Sequence, residues 1–264
     1  MSTSERAAAA YAKVQLGEIT RARQCLTGAA LAPGTEATYR QLQDKRPQEP
    51  SRALSDAVLG FAPREPVVLN RSLFMDSLRT APRGSSPGPG GCTYEHLKPA
   101  LDDDGLFDLL LEAANSIAQA NAPEEVLTAL MSARLTALSK KDGGVRGIAS
   151  GCSLRRLVAR TLAKQFGAEF EARCSPFQCA LSTRAGTDCV GHMLRAATDA
   201  SPTATVLGVD GFVLRDTMLS RLAQMPMASA ILLFVRLSYA QPSTYSWYDD
   251  EGHHRTVVQA EGGE

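Results

Sequence analysis

Residues 135–164 constrain the fold of this chain more than any other stretch. Apolar residues on both sides of Asp-Gly-Gly at 142–144 predict two strands joined by a tight turn, and the basic segment 154–164 predicts a helix. Lys140 and Lys141 precede the turn and Arg146 follows it, so both arms of the hairpin carry cations towards one spot. Such convergence favours a phosphate ligand, and a solvated turn is the alternative interpretation.

The formal net charge of zero hides an uneven distribution of charge. Between Arg134 and Arg173 there are nine lysines and arginines against three acids, whereas acids dominate from Gln241 onward. A neutral total gives no overall field that would attract nucleic acid. The basic middle of the chain is therefore the better candidate for contact with a polyanion.

The cysteines and the N-terminus bear on the cellular compartment. None of the six cysteines forms a Cys-x-x-Cys pair, and no pair of histidines follows at zinc-ligand spacing. Reduced thiols of an intracellular protein, in the nucleus or cytoplasm, are the expected state. The alanine run near the N-terminus is too short and too weakly apolar for a signal peptide, and no segment has the length of a membrane span.

Helical patterns predominate along the rest of the chain, and strands are few. Helices are predicted over residues 7–26, 70–78, 105–120, 123–133, 186–200, 214–222 and 228–239, a buried strand over 203–210, and a second hairpin over 244–248 and 255–259. Prolines within 46–66 predict a linker, and the glycine-rich segment 83–93 a flexible loop. The pattern predicts an α+β fold with one small antiparallel sheet.

Two acidic positions are candidates for catalysis. Asp210 ends the predicted strand, where magnesium ligands of nucleotidyl transferases are often found, although an aspartate there also serves as a turn or helix cap. Asp249 and Asp250 look like a catalytic pair, but they lie at the tip of a predicted hairpin, where Asp-Asp-Glu-Gly is ordinary turn chemistry.

The order of six segments resembles the reverse transcriptase domain of non-LTR retrotransposons, including related open reading frames of dinoflagellate-like genomes. Residues 86–97 are similar to the family's Gly-Pro-Asp-Gly segment, and 135–164 to its Lys-x-Asp-Gly-x-x-Arg-Pro-Ile block, with Gly147 in place of the usual proline. The other similar segments are residues 176–188, 205–211, 234–243 with the hairpin that follows, and 261–264.

The resemblance implies a helix-rich leader with a Pro-rich linker over residues 1–82. Residues 83–264 are then the fingers and an incomplete palm of a right-hand polymerase. The implied activity is RNA-directed DNA polymerisation by a two-metal mechanism that uses Mg²⁺. The implied partners are an RNA template, a DNA primer and a deoxynucleoside triphosphate.

Each matching segment implies roles for particular residues of this chain. Asp210 is implied as catalytic residue and magnesium ligand. The residues implied to bind the nucleotide are Lys140, Lys141, Arg146, Gly262 and Gly263. Those implied to contact nucleic acid are Gln178, Arg184 and Gly186 of the fingers. Apart from the resemblance, the basic charge of the middle of the chain makes Arg155, Arg156 and Arg160 of the basic helix candidates for contact with nucleic acid.

Two departures from the family pattern lead us to expect a chain that is inactive by itself. Asp210-Gly211 runs directly into Phe212, as if about five residues of the family pattern were missing, and the later Tyr-x-Asp-Asp motif does not occur in the 264 residues. That motif supplies the remaining carboxylates of a two-metal site. The alternative function is a non-catalytic, nucleic-acid-binding remnant.

Overall fold

The elements of the fold are defined by a computed structural model, which describes residues 3–50, 52–175, 185–201, 203, 205, 213–226 and 228–262. Its helices are α1 (Thr3–Gln15), α2 (Ile19–Thr27), α3 (Glu36–Asp44), α4 (Asp56–Leu59), α5 (Arg71–Arg79), α6 (Tyr94–Leu97), α7 (Asp104–Ala118), α8 (Glu124–Met131), α9 (Ser153–Cys174), α10 (Gly186–Ala200), α11 (Arg215–Ala223) and α12 (Leu232–Tyr239). Its strands are β1 (Ala133–Ser139), β2 (Val145–Gly151), β3 (Ser243–Tyr248) and β4 (His254–Gln259).

Capping residues explain where several helices begin. The Asn70 side chain accepts a hydrogen bond from the Leu73 amide at 3.1 Å and so starts α5, as the sequence predicts. Asp103 starts α7 in the same way. The single helix predicted over residues 7–26 is wrong: the chain forms α1 and α2, because Gly17 takes a φ of +72° that interrupts the helix.

The described strands form one mixed sheet in the order β2-β1-β3-β4. β1 pairs with β2 and β3 pairs with β4 in antiparallel hairpins, both of which the sequence predicts. β1 and β3 pair in parallel at Ala133 and Arg134, so the prediction of a purely antiparallel sheet is wrong. The chain returns to β3 through several helices rather than through a tight turn, and this crossover lets β3 run in the same direction as β1.

The architecture is thus mixed helix and sheet, which is compatible with the predicted α+β class. The strand predicted over 203–210, including Asp210, falls outside the described residues except for Thr203 and Thr205. None of the helices in the described ranges is long and apolar enough to cross a membrane. The cysteines in those ranges are free thiols: Cys25, Cys92, Cys152, Cys174 and Cys189.

Two of the buried clusters join residues from both sides of the boundary predicted at 82. The larger one packs α5 against α7, α9 and α12 through Phe74, Phe107, Leu157 and Phe234 among others. The second packs Leu42 of α3 on the sheet, against Leu135, Val145, Tyr245 and Trp247. The predicted leader therefore shares its cores with the rest of the chain and has no separate one among the described residues.

Side-chain amides hold the extended segment before α5 in place. Asn115 Oδ1 accepts from the Leu69 amide at 2.8 Å, and Gln119 Nε2 donates to the Val67 carbonyl at 2.8 Å. Gln165 of α9 bonds both the Asn70 amide and the Val68 carbonyl at 3.0 Å. These amides satisfy backbone groups that have no strand partner, so the segment lies fixed between α7 and α9.

Replacement of Phe74 by alanine tests whether the leader belongs to the same folding unit. Phe74 is 0% exposed in the larger core, so Phe74→Ala should lower the free energy of unfolding of the whole chain by about 3–5 kcal/mol. Urea unfolding followed by circular dichroism measures this loss. Tyr11→Ala is the matched control, because Tyr11 is 67% exposed on α1. A separate early transition in Phe74→Ala, with the main transition unmoved, would contradict a shared core.

Candidate phosphate-binding site

The turn between β1 and β2 is built by its aspartate and two glycines. Asp142 Oδ1 accepts from the Gly144 amide at 3.0 Å, and the Lys140 amide donates to the Gly144 carbonyl at 2.8 Å. Gly143 has a φ of +79°, a conformation that side chains disfavour. The Gly144 N–H, supported by the charges of Lys140 and Lys45, holds the pKa of Asp142 below its usual range.

The cations of the hairpin are available to a ligand. Lys140, Lys141 and Arg146 are exposed, and among the described residues none has a carboxylate within ion-pair distance. Arg146 pairs with Leu138 across the hairpin, so these two side chains share the face opposite to buried Val145. The structure thus leaves the cations implied to bind the nucleotide unneutralised by any described ion pair.

Two further cations reach the hairpin from the end of α3, and the sequence interpretation missed them. The ammonium group of Lys45 donates a hydrogen bond to the carbonyl of Val145 on the edge strand β2. Arg46 donates to the Leu42 carbonyl at 2.7 Å, and its guanidinium lies 5.3 Å from the centre of the Tyr245 ring. Burial lowers the pKa of Arg46. The sequence shows only that Lys45 and Arg46 are two adjacent cations after a helix, and this does not indicate that they lie beside the hairpin.

These groups surround one shallow cavity at the edge of β2. Its volume is about 240 Å³, and it is lined by Lys45, Arg46, Lys140, Val145, Arg146, Gly147 and Gln259. Gly147 on its wall makes room for neighbouring side chains: a Cβ there would lie 2.6 Å from an Arg46 guanidinium nitrogen and 3.0 Å from a Leu42 methyl carbon. The absence of a side chain at Gly147 therefore permits the close approach of Arg46.

Two arginines of α9 have internal partners. Arg156 donates to the Ser86 carbonyl at 2.7 Å and lies over the Tyr94 ring at 5.3 Å. Arg160 donates to the hydroxyl of Thr80 at 3.0 Å. These bonds tie the glycine-rich loop and the end of α5 to α9, which is a structural role that the sequence interpretation did not give them.

Arg155 is the least accessible of the three arginines. It is 7% exposed, and its guanidinium donates to the Met131 sulfur at 3.8 Å beside Gly151. A backbone phosphate does not reach a side chain buried in this way unless α9 moves. Contact of Arg156 and Arg160 with nucleic acid stays a prediction, and for Arg155 the burial argues against it.

A buried arginine organises the region around Gly262. Arg215, at the start of α11, donates from its backbone amide to Glu261 at 2.9 Å and from its guanidinium to the Gly262 carbonyl at 3.1 Å. It also donates to the Gln241 carbonyl and the Ser243 hydroxyl. A cation in the first turn of a helix interacts unfavourably with the helix dipole, so it needs a compensating partner. The position of Arg215 at the start of a predicted helix was therefore the sequence signal for such a partner.

Gly262 itself occupies a position that suits glycine. Its φ is +83°, and its amide donates to the Val213 carbonyl at 3.1 Å. The segment after the Asp210 block and the Glu-Gly-Gly segment are therefore adjacent. Gly186 begins α10 directly after Ala185, which has a φ of +57°. The other implied site residues, Gln178, Arg184, Asp210 and Gly263, lie outside the described residues.

The described residues do not assemble a site for the implied Mg²⁺. No group of three or more His, Cys, Asp or Glu side chains is close enough to hold a metal ion in the part of the chain that the structure covers. Asp249 serves the β3–β4 turn, where it accepts from the amides of Glu251 and His253. Burial by itself would raise the pKa of Asp249. The hydrogen bonds and the charge of His253 outweigh that effect, so the pKa lies below its usual range.

Comparison with known proteins adds no family. Neither the protein-family models nor the curated proteins include a match to this chain.

Substitution of Gly147 tests the close packing at the cavity. Gly147→Ala should destabilise the protein by about 1–3 kcal/mol, because the new methyl group presses on Arg46 and Leu42. Gly167→Ala is the control of opposite sign: Gly167 lies in α9 with open space around it, so alanine should stabilise by about 0.5–1 kcal/mol. Thermal unfolding of both variants measures the difference, and a stabilising Gly147→Ala would show that the site is looser than described.

The pH dependence of Asp142 tests the turn geometry. Folding lowers its pKa, so its ionised form favours the folded state above the usual value of 3.8, and that contribution is lost as the pH falls through the lower folded pKa. Carboxyl NMR titration should give a midpoint below 3.8 for Asp142. In Lys140→Gln the midpoint should rise, whereas in Lys13→Gln, a distant charge change, it should stay. A midpoint at or above 3.8 would be inconsistent with the Gly144 bond.

Proposed function

We propose that this chain is a reverse transcriptase fragment of the non-LTR retrotransposon kind, whose β1–β2 hairpin binds phosphate groups of nucleic acid or nucleotide. The observation that supports the proposal is the hairpin itself. Its turn carries Lys140 and Lys141, Arg146 follows, and none of the three has an ion pair among the described residues. Cations left unneutralised on a structured turn suit a polyanionic ligand.

The order of the sequence blocks gives the proposal its family. The glycine-rich segment before α6, the cationic hairpin with α9 behind it, and the Glu-Gly-Gly segment follow the family's order. Contacts in the fold join two of these blocks directly and bring a third beside the residue that follows the Asp210 block. Arg156 of α9 bonds the glycine-rich segment, and Gly262 bonds Val213.

Two-metal nucleotidyl transfer requires more carboxylates than we can assign. Asp210 is the one acid implied by the resemblance within the 264 residues, and the Tyr-x-Asp-Asp motif does not occur in them. We therefore expect nucleic-acid binding but no DNA synthesis from these residues alone.

Salt-dependent binding tests the role of the hairpin. Fluorescence anisotropy should detect binding of single-stranded RNA or DNA that weakens steeply between low and moderate salt. The triple variant Lys140→Gln, Lys141→Gln, Arg146→Gln should make the salt slope shallower by about 2, since each lost phosphate contact removes about 0.7. The control variant Arg23→Gln, Arg52→Gln, Arg64→Gln removes three exposed charges elsewhere. If both triple variants made the salt slope shallower by the same amount, binding would depend on the overall charge rather than on the hairpin.

Primer extension separates the fragment hypothesis from an active enzyme. Purified protein with template, primer, deoxynucleotides and magnesium should give no extended product. Template-dependent synthesis that disappears in Asp210→Asn would overturn the expectation of inactivity. The non-catalytic alternative predicts that nucleic-acid binding survives Asp210→Asn unchanged.

A further inference from the structure

The glycine-rich segment 83–93 lies against the start of α9, and this contact brings two cysteines near each other. Ser153 Oγ, in the first turn of α9, donates to the Cys92 carbonyl at 2.6 Å. The chain at Gly88 also lies close, since a Cβ there would come within 2.8 Å of the Cys152 amide nitrogen. The fold therefore places Cys92 beside the residue that follows Cys152, although the two cysteines are about sixty residues apart in the sequence.

The thiols of Cys92 and Cys152 are both free and half-buried, so a small oxidant can reach them. Burial raises the pKa of the Cys92 thiol, and the negative charge of an ionised Cys152 raises it further. Two thiols whose charges interact in this way lie near each other in space, because the interaction weakens with distance. The pair therefore consists of neighbouring sulfur atoms as well as neighbouring backbones.

Arg156 fixes the segment to the helix at the same place. Its guanidinium donates to the Ser86 carbonyl at 2.7 Å and to Ser153 Oγ at 3.1 Å. The segment and the helix are thus held together by bonds that do not involve the sulfur atoms. A cross-link between groups that are already fixed costs little additional conformational entropy, so the folded chain favours a bond between the two cysteines.

The two sulfur atoms contribute little to the local structure. Cys152 is the N-cap of α9, but its side chain makes no capping hydrogen bond. Cys92 Sγ donates to the Thr93 carbonyl at 3.6 Å, which is a weak bond because a thiol is a weak donor. Both thiols can therefore react without the loss of a strong interaction.

We propose that Cys92 and Cys152 form a reversible disulfide when the protein meets a peroxide, and that this bond joins the glycine-rich segment covalently to α9. The site is a pair of thiols that the fold assembles, and its reactant is a hydroperoxide. The inference does not depend on the proposed function, because it concerns residues outside the cationic hairpin.

Hydrogen peroxide supplies the oxidant for this reaction. One cysteine, as its thiolate, attacks a peroxide oxygen; the O–O bond breaks, and the leaving hydroxide takes up the thiol's proton to give water and a sulfenic acid. The second sulfur then attacks the sulfenic sulfur, the S–O bond breaks, and a second water carries away the proton of the second thiol. The two sulfurs are oxidised and the peroxide is reduced to two waters. A dithiol reductant reverses the reaction by thiol–disulfide exchange.

Peptide mapping of the full chain tests the pairing. The reduced protein is treated with hydrogen peroxide in native buffer, its remaining thiols are alkylated, and it is digested with trypsin without reduction. Trypsin cleaves between the two cysteines, for example after Arg134, so mass spectrometry should find their peptides joined as the main linked product. A dithiol reductant should release them. Native protein that gives no such pair, or that links other cysteines instead, would overturn the inference.

Oxidation in concentrated urea is the control for the role of the fold. Short loops close most readily in an unfolded chain, so Cys174 and Cys179 should pair there in preference to Cys92 and Cys152. If the Cys92–Cys152 pair formed as abundantly in urea as in native buffer, the folded arrangement would not be its cause, and the inference would fail.

Thermal unfolding gives a second measurement. The disulfide closes a loop of about sixty residues, so oxidation should raise the Tm of the parent by about 5–10 °C. Cys152→Ser should fold normally because serine is a favoured N-cap, and oxidation should leave its Tm unchanged. Cys189→Ser, which keeps the pair, should show the same upward shift as the parent. An upward shift that persists in Cys152→Ser would contradict the assignment to these two residues.

Discussion

The pairing of β1 with three other segments is the interaction on which the rest of the structure depends. β2 pairs along its whole length, β3 pairs with its first two residues, and Leu31 pairs with Leu138 near its end. The Ala32 amide donates to the Ala137 carbonyl at 2.9 Å. Ala133, Leu135 and Ala137 lie in the same buried cluster as Leu42 of α3. β1 thus joins the segment before α3, the cationic hairpin and the second hairpin in one sheet region.

Local patterns in the sequence were sufficient for most of the elements. Both hairpins, the Asn70 cap and the helix at 186–200 depend on neighbouring residues, and the structure confirms them. The parallel pairing of β1 with β3 joins residues more than a hundred positions apart. No local propensity encodes such a contact, because it forms only when burial of the sheet face on α3 selects that arrangement. The position of Lys45 and Arg46 beside the hairpin was not predicted for the same reason, since they lie about a hundred residues from it in the sequence.

The basic window between Arg134 and Arg173 shows why a charge count does not locate a binding surface. Arg156 and Arg160 bond carbonyl and hydroxyl groups of the preceding loop and helix, and Lys164 pairs with Asp76 at 2.5 Å. These cations have internal partners, although they look the same in the sequence as those of the hairpin. What distinguishes the hairpin is that its Asp-Gly-Gly turn satisfies its own backbone groups and leaves Lys140 and Arg146 to the surface.

Arg215 and Glu261 are charged residues that the fold buries, whereas it leaves the cations of the hairpin exposed. Both side chains are buried, and the guanidinium donates to three residues in two segments, Gly262 after β4 and Gln241 and Ser243 at the start of β3. Burial of charges is costly, so such a network contributes less net stability than its bond count suggests. It does impose geometry, since a displaced partner would leave a buried donor without an acceptor. The segment that carries Gly262 is thereby fixed beside α11 and the start of β3.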